Sequence, residues 1–85
     1  MKVKIVGYER NRGFSKKKNA DYDYHVLHTS SIRPFTAPGC SGYAVQTIVI
    51  AHSQGIITDV PTPGETWEIS YNPQGKVDDA YAVEG

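Results

Sequence analysis

The apolar residues of this chain recur at every second position, and no segment carries the 3.6-residue repeat of a helix. Lys2–Arg10 alternates, with Val3 and Ile5 on one face and Lys2 and Lys4 on the other. Thr66–Tyr71 alternates as cleanly: Trp67, Ile69 and Tyr71 face one way, Glu68 and Ser70 the other. A period of two places successive side chains on opposite faces of a strand, so the pattern demands β-structure. Asp21–Thr29 fits the same rule, with Tyr22, Tyr24, Val26 and His28 on one face and Asp23, His25, Leu27 and Thr29 on the other. Tyr43–Ala51 is rich in β-branched residues and apolar along its length, which predicts a central strand.

Punctuation between these segments is equally informative. Asn72-Pro73-Gln74-Gly75 is a turn signal, because Pro73 presets φ and Gly75 accepts the left-handed conformation of a turn followed by a bulge. Lys76–Val83 then completes a hairpin. Asn11–Asn19 is polar and lysine-rich and reads as a hairpin loop, and Gly7 inside the first strand predicts a bulge or sharp bend. Ser30–Gly42 holds Pro34, Pro38, Gly39 and Gly42 and excludes regular structure. His52–Gly64 is a second connection, with a short strand or helical turn expected around Ile56 and Ile57. Five short strands with a bent first strand predict one all-β domain, a five-stranded OB-type small barrel, with an SH3-like barrel as the alternative.

At 85 residues the chain is near the small end of what folds alone, and dimerisation would help to stabilise it. Aromatic residues, 11 % of the chain, supply large buried areas that offset a hydrophobic share of only 39 %. Cys40 is the only cysteine, which rules out an internal disulfide and makes the cytoplasm the expected compartment. The opening MKVKIVGYER has no apolar run of signal-peptide length, and no stretch approaches a membrane span.

Charge is zero overall but strongly segregated. Residues 1–35 carry eight Lys and Arg against three carboxylates, a net of +5; residues 36–85 carry Lys76 alone against six, a net of −5. Aromatic residues are threaded through the basic half, where Tyr8, Phe14, Tyr22, Tyr24 and Phe35 alternate with cations. Cations follow a phosphate backbone and aromatic faces stack on unpaired bases, so this mixture has the chemistry of a single-stranded nucleic-acid groove. Arg10, Arg12, Lys16, Lys17 and Lys18 are the candidate phosphate contacts, and Phe14, Tyr22 and Tyr24 the candidate stacking faces. Phe14 ranks first among these, since it falls in the expected loop with no apolar neighbour. Tyr22 and Tyr24 share a face that Val26 continues, so at least one of them is a candidate for the core. The competing explanation is a solvated hairpin with ordinary surface lysines and barrel-core tyrosines.

Other chemistry finds little support. His25 and His28, three apart on a strand, point to opposite faces and cannot share a metal; the expected site for both is the surface. His52 and Cys40 match no zinc-ligand spacing. Cys40 lies in Pro-Gly-Cys-Ser-Gly with no activating helix terminus, and Asp78 and Asp79 diverge on a strand. No enzyme, no metal and no cofactor are therefore expected. A second class of function, a peptide-binding barrel, would line an aromatic groove with Tyr8, Tyr22, Tyr24 and Trp67. Exposure of Trp67 separates the two classes, because a buried Trp67 belongs to the core.

The order of elements resembles the filamentous-phage gene V type helix-destabilising proteins and similar small single-stranded DNA-binding proteins of phages and mobile elements. The resemblance rests on the opening strand Lys2–Tyr8, the basic loop Ser15-Lys16-Lys17-Lys18 leading into Tyr22, the apolar strand Tyr43–Ile50, Pro63-Gly64 before Thr66–Ser70, and the Gly-containing hairpin at 72–77. It implies an OB-type barrel, a symmetric homodimer, and cooperative coating of single-stranded DNA during replication or packaging in a bacterial host cell. RNA is a possible ligand on the same chemistry. By that resemblance Arg12, Lys16–Lys18 and Tyr22 would meet DNA, and the hairpin around Asn72–Lys76 would form the dimer. The Pro- and Gly-rich loop at 30–42 and the acidic second half depart from the family's pattern.

Overall fold

A computed structural model describes residues 1–83 of the chain. Five strands form one antiparallel sheet: β1 (Lys2–Ser15), β2 (Ala20–Ser31), β3 (Val45–Ala51), β4 (Thr66–Tyr71) and β5 (Val77–Val83). Their spatial order is β3-β2-β1-β4-β5. The all-β expectation holds. The sheet is open, since β3 pairs only with β2 and β5 only with β4. The expected central strand at Tyr43–Ala51 is thus an edge strand that begins at Val45. Its apolar run misled because only alternate residues are used inward: Ile48 and Ile50 are buried, while Val45 and Val49 are exposed.

The bulge expected at Gly7 is present. β1–β2 pairing steps from Ile5↔Thr29 to Gly7↔His28, which leaves Val6 without a partner. Because the side-chain period is two, one extra residue exchanges the faces of everything beyond it. Val3 and Ile5 point inward before the bulge, and Tyr8 does so after it. The inner face gathers Val3, Ile5, Leu27, Ile48, Ile50, Trp67, Ile69 and Ala80 into one core, closed by Ile57 from the connection after β3. Pro61 of the same connection is fully buried.

That connection opens with a short 3₁₀ turn, His52–Gln54, placed before the expected Ile56 and Ile57. The hairpin Asn72–Lys76 forms as read. Asn72 Oδ1 accepts from the backbone N–H groups of Gln74 and Lys76 (3.1 and 2.9 Å), and Gly75 sits at φ 81°. β2 extends to Ser31, two residues into the segment expected to be irregular. The loop beyond it is pinned by Ser31 N–H to the Ala44 carbonyl (2.8 Å) and Phe35 N–H to the Gly42 carbonyl (2.7 Å). No helix among the described residues is long and apolar enough to cross a membrane.

Candidate nucleic-acid interface

β1 and β2 continue well past the core as a two-stranded arm. The loop expected at Asn11–Asn19 is strand as far as Ser15, and only the four residues Lys16–Asn19 turn, with Asn19 in the left-handed region at φ 50°. Arg12 and Phe14 therefore sit on a strand. Phe14, Gly13, Arg12 and Asn11 stand opposite Asp21, Tyr22, Asp23 and Tyr24 and carry the ladder on, although none of the eight is buried.

Pairing on the arm assigns each side chain to a face. Gly13 lies opposite Tyr22 and Asn11 opposite Tyr24; Phe14 lies opposite Asp21, Arg12 opposite Asp23, and Arg10 opposite His25. Cross-strand partners share a face, so Tyr22 and Tyr24 are on the outer, solvent face. Phe14 is on the other face with Arg10 and Arg12. The three aromatic candidates do not form one platform. Both tyrosines are 38 % exposed, and Phe14 is 55 % exposed. Neither tyrosine belongs to the core, because the inner face at this point is the one carrying His25 and Leu27.

The Tyr22 and Tyr24 rings stack on each other, with centroids 6.1 Å apart and planes 19° apart. Gly13 makes room for this. A Cβ there would lie 2.7 Å from the Tyr22 hydroxyl oxygen and 2.9 Å from Cζ. The two rings wall a shallow cleft of about 510 Å³ together with Arg10, Asn11, Arg12, Ser15 and Lys18. Arg10 and Arg12 leave β1 on the opposite face yet border this cleft, since no strand pairs with that edge of the arm. Tyr24 also borders a second cleft, of about 400 Å³, between the edge of β3 and the β4–β5 hairpin, where it meets Thr47, Val49, Tyr71, Lys76 and Val77.

The cations of the arm are not equivalent. Arg10 donates to both oxygens of Asp23, Nε to Oδ1 at 2.9 Å and an Nη to Oδ2 at 2.7 Å. This bidentate bond holds the Asp23 carboxyl below its usual range and raises the Arg10 guanidinium. Arg10 is therefore already paired. Among the described residues, Arg12, Lys16, Lys17 and Lys18 take part in no ion pair. Lys18 lines the tyrosine cleft, whereas Lys16 and Lys17 lie beyond it on the turn.

At the base of the arm the sequence reading of the histidines needs correction. His25 is 4 % exposed, because it follows Tyr24 on the inner-facing phase of β2. Its Nδ1 meets the Tyr8 hydroxyl at 2.7 Å and its Nε2 meets His52 Nδ1 at 2.9 Å. Burial pushes the His25 pKa down, and the neighbouring Arg10 and His52 add to this against an opposing effect of Asp23. His28 is on the outer face, 3.4 Å from Glu9 Oε1 and from Thr47 Oγ1. Sequence spacing alone could not pair His25 with His52, because the contact depends on where the chain turns after β3.

Trp67 is 2 % exposed, and its indole N–H points to Glu65 Oε1 at 3.4 Å. Tyr8 is committed inward to His25. Neither joins Tyr22 and Tyr24, so the four-aromatic groove of a peptide binder is not assembled. Among the described residues no group of three or more His, Cys, Asp or Glu could hold a metal ion. Cys40 is exposed in its loop. Comparison with family models, curated proteins and solved structures returns no match.

Proposed function

We propose that the chain is a non-catalytic single-stranded nucleic-acid-binding protein, with DNA as the principal ligand, that uses the outer face of β1–β2–β3. The observation that carries this reading is the stacked, half-exposed Tyr22–Tyr24 pair between two clefts bordered by Arg12, Lys18 and Lys76. Aromatic faces beside unpaired cations accept bases and phosphates without reading sequence, and each stack is worth roughly 1–3 kcal/mol.

The fold reading supports the same site. In an OB-type barrel the face of strands 2 and 3 and the loops joining strands 1–2 and 4–5 bind oligonucleotides. The order β3-β2-β1-β4-β5 needs only a β3–β5 pairing to close such a barrel, and the cleft from Tyr24 to Lys76 occupies that seam. This strand order supports the resemblance to phage and mobile-element helix-destabilising proteins. A homodimer belongs to the same reading, supported by exposed Tyr71 and Tyr81 of β4 and β5.

The test is a titration with fluorescent oligo-dT and a matched duplex at low and physiological salt. Expected are single-strand binding that weakens with salt, far weaker duplex binding, and quenched tyrosine emission. Replacing Lys16, Lys17 and Lys18 by Ala should lower the log–log salt slope by about 2, from about 0.7 counterion per phosphate contact. Absence of binding to either ligand at low salt overturns the proposal.

A further inference from the structure

Three cations of the basic half lie far from the arm. Lys2, Lys4 and Arg33 line a cleft of about 660 Å³ with Ile32, Gly64 and Thr66, at the opposite end of β1. Among the described residues none of the three takes part in an ion pair. β1 brings Lys2 and Lys4 outward because Val3 and Ile5 fill the core, and the turn out of β2 delivers Arg33 beside them.

Strand register decides which face this patch shares. Lys4 pairs with Ser30, Gly7 with His28, Glu9 with Val26, Asn11 with Tyr24 and Gly13 with Tyr22. Ser30, His28, Val26, Tyr24 and Tyr22 are two apart along β2, which carries no bulge, so the lysines and the tyrosines lie along one face of the same strand pair. Lys4 and Ser15 are roughly 36 Å apart along β1 at about 3.3 Å per residue. The ground between them is hollowed. A cleft of about 210 Å³ runs past Val6, His28 and Thr47, and Thr47 and then Tyr24 carry the line into the clefts already described. Two carboxylates lie on this line: Glu9, 3.4 Å from His28 Nε2, and Glu68, opposite Lys2 and 3.4 Å from the N-terminal ammonium of Met1.

We propose that Lys2, Lys4 and Arg33 form a second phosphate-contact site for the same single strand, so that the ligand runs lengthwise along the outer face of β1–β2 from Lys18 to Lys2. This rests on the nucleic-acid reading above and adds the direction and extent of the strand. A ligand held at the arm alone contacts only Arg12, Lys16, Lys17, Lys18 and the tyrosines. A longer one reaches the far patch and gains about three phosphate contacts.

The test compares oligo-dT of about 4 and about 16 nucleotides, the range of site sizes for one small barrel, on wild type and on Lys2→Gln/Lys4→Gln/Arg33→Gln. Expected is unchanged affinity of the variant for the short strand, weaker binding of the long one, and a salt slope reduced by about 2 for the long strand only. Equal losses on both lengths, or none on either, overturn the second site while leaving the arm in place. Wild type that binds neither length sinks the underlying reading and the second site with it. A second measurement needs no variant: amine acetylation of wild type, read by peptide mass. Lys2 and Lys4 should be protected by the long strand and not by the short one. Equal reactivity with and without the long strand overturns the proposal.

Discussion

His25 Nε2 and His52 Nδ1 lie 2.9 Å apart, and the Tyr8 hydroxyl closes the other side of the His25 ring at 2.7 Å. A neutral pair satisfies both bonds with one proton in each. Protonating both rings sets N–H against N–H. The His25 pKa is depressed below its ordinary 6.5, so in the window between the folded value and 6.5 the unfolded chain binds more protons. The sign follows: this contribution is complete above 6.5, falls as pH drops below it, and is gone once pH passes the folded value. Urea unfolding should show lower stability at pH 5 than at pH 7.5, and NMR should place the His25 midpoint below 6.5. A midpoint at or above 6.5 contradicts the account. His52→Ala orphans a buried nitrogen and should cost about 1–3 kcal/mol.

Gly13→Ala separates stability from binding. The added Cβ meets the far end of the Tyr22 phenol, which can swing aside on an exposed arm. Thermal unfolding should change little, by under about 1 kcal/mol. The displaced ring should lose most of one stacking contact, roughly 1–3 kcal/mol, or about 5- to 150-fold in Kd. Oligo-dT titration reads this directly, and an unchanged Kd would remove Tyr22 from the interface.

The face assignment makes an ordered prediction for the aromatics. Tyr22→Ala and Tyr24→Ala should each weaken single-strand binding by roughly 1–3 kcal/mol. Phe14→Ala, on the opposite face, should leave Kd within about twofold. A Phe14 effect as large as that of Tyr24 would mean that the strand wraps the tip of the arm.

Asp23→Asn releases Arg10. The ion pair is exposed, so thermal unfolding should change little. Binding should tighten, because a carboxylate is removed and a guanidinium freed at the cleft rim, and the salt slope should rise by about 0.7. Weaker binding would show that Asp23 is needed to aim Arg10.

Leu27 is fully buried at the centre of β2, between the arm and the rest of the core. Leu27→Ala should destabilise the fold by about 2–5 kcal/mol. Denaturant midpoints check this, and a loss under about 1 kcal/mol would mean that the site collapses around the smaller side chain.

Strand positions were legible wherever apolar residues alternate. Thr66–Tyr71 runs between its expected ends, and the Asn72–Gly75 turn follows from the chemistry of Asn, Pro and Gly. The arm was less legible, because Asn11–Ser15 is polar on both faces and its strand state depends on pairing with Ala20–Tyr24. The inward position of His25 was readable in principle, since it shares a phase with Leu27 and Thr29, but a titratable residue in that phase looks like a surface group. The edge position of β3 was not readable, because an apolar run is the same string whether one neighbour or two lie beside it. The grouping of Phe14 with the tyrosines failed for a specific reason: Asn11–Asn19 reads as a loop, so the pairing across the Lys16–Asn19 turn that sets Phe14 opposite Asp21 is not legible.

The unbroken pairing from Gly7 to Ser15 also sets a rule for how the arm can change. Between the bulge and the turn, lengthening by two residues, one added to each strand, would invert every outward side chain beyond the insertion; adding two to each strand would not. Related chains that retain the tyrosine platform should therefore differ in arm length by steps of four, as though the hairpin were read in a fixed frame.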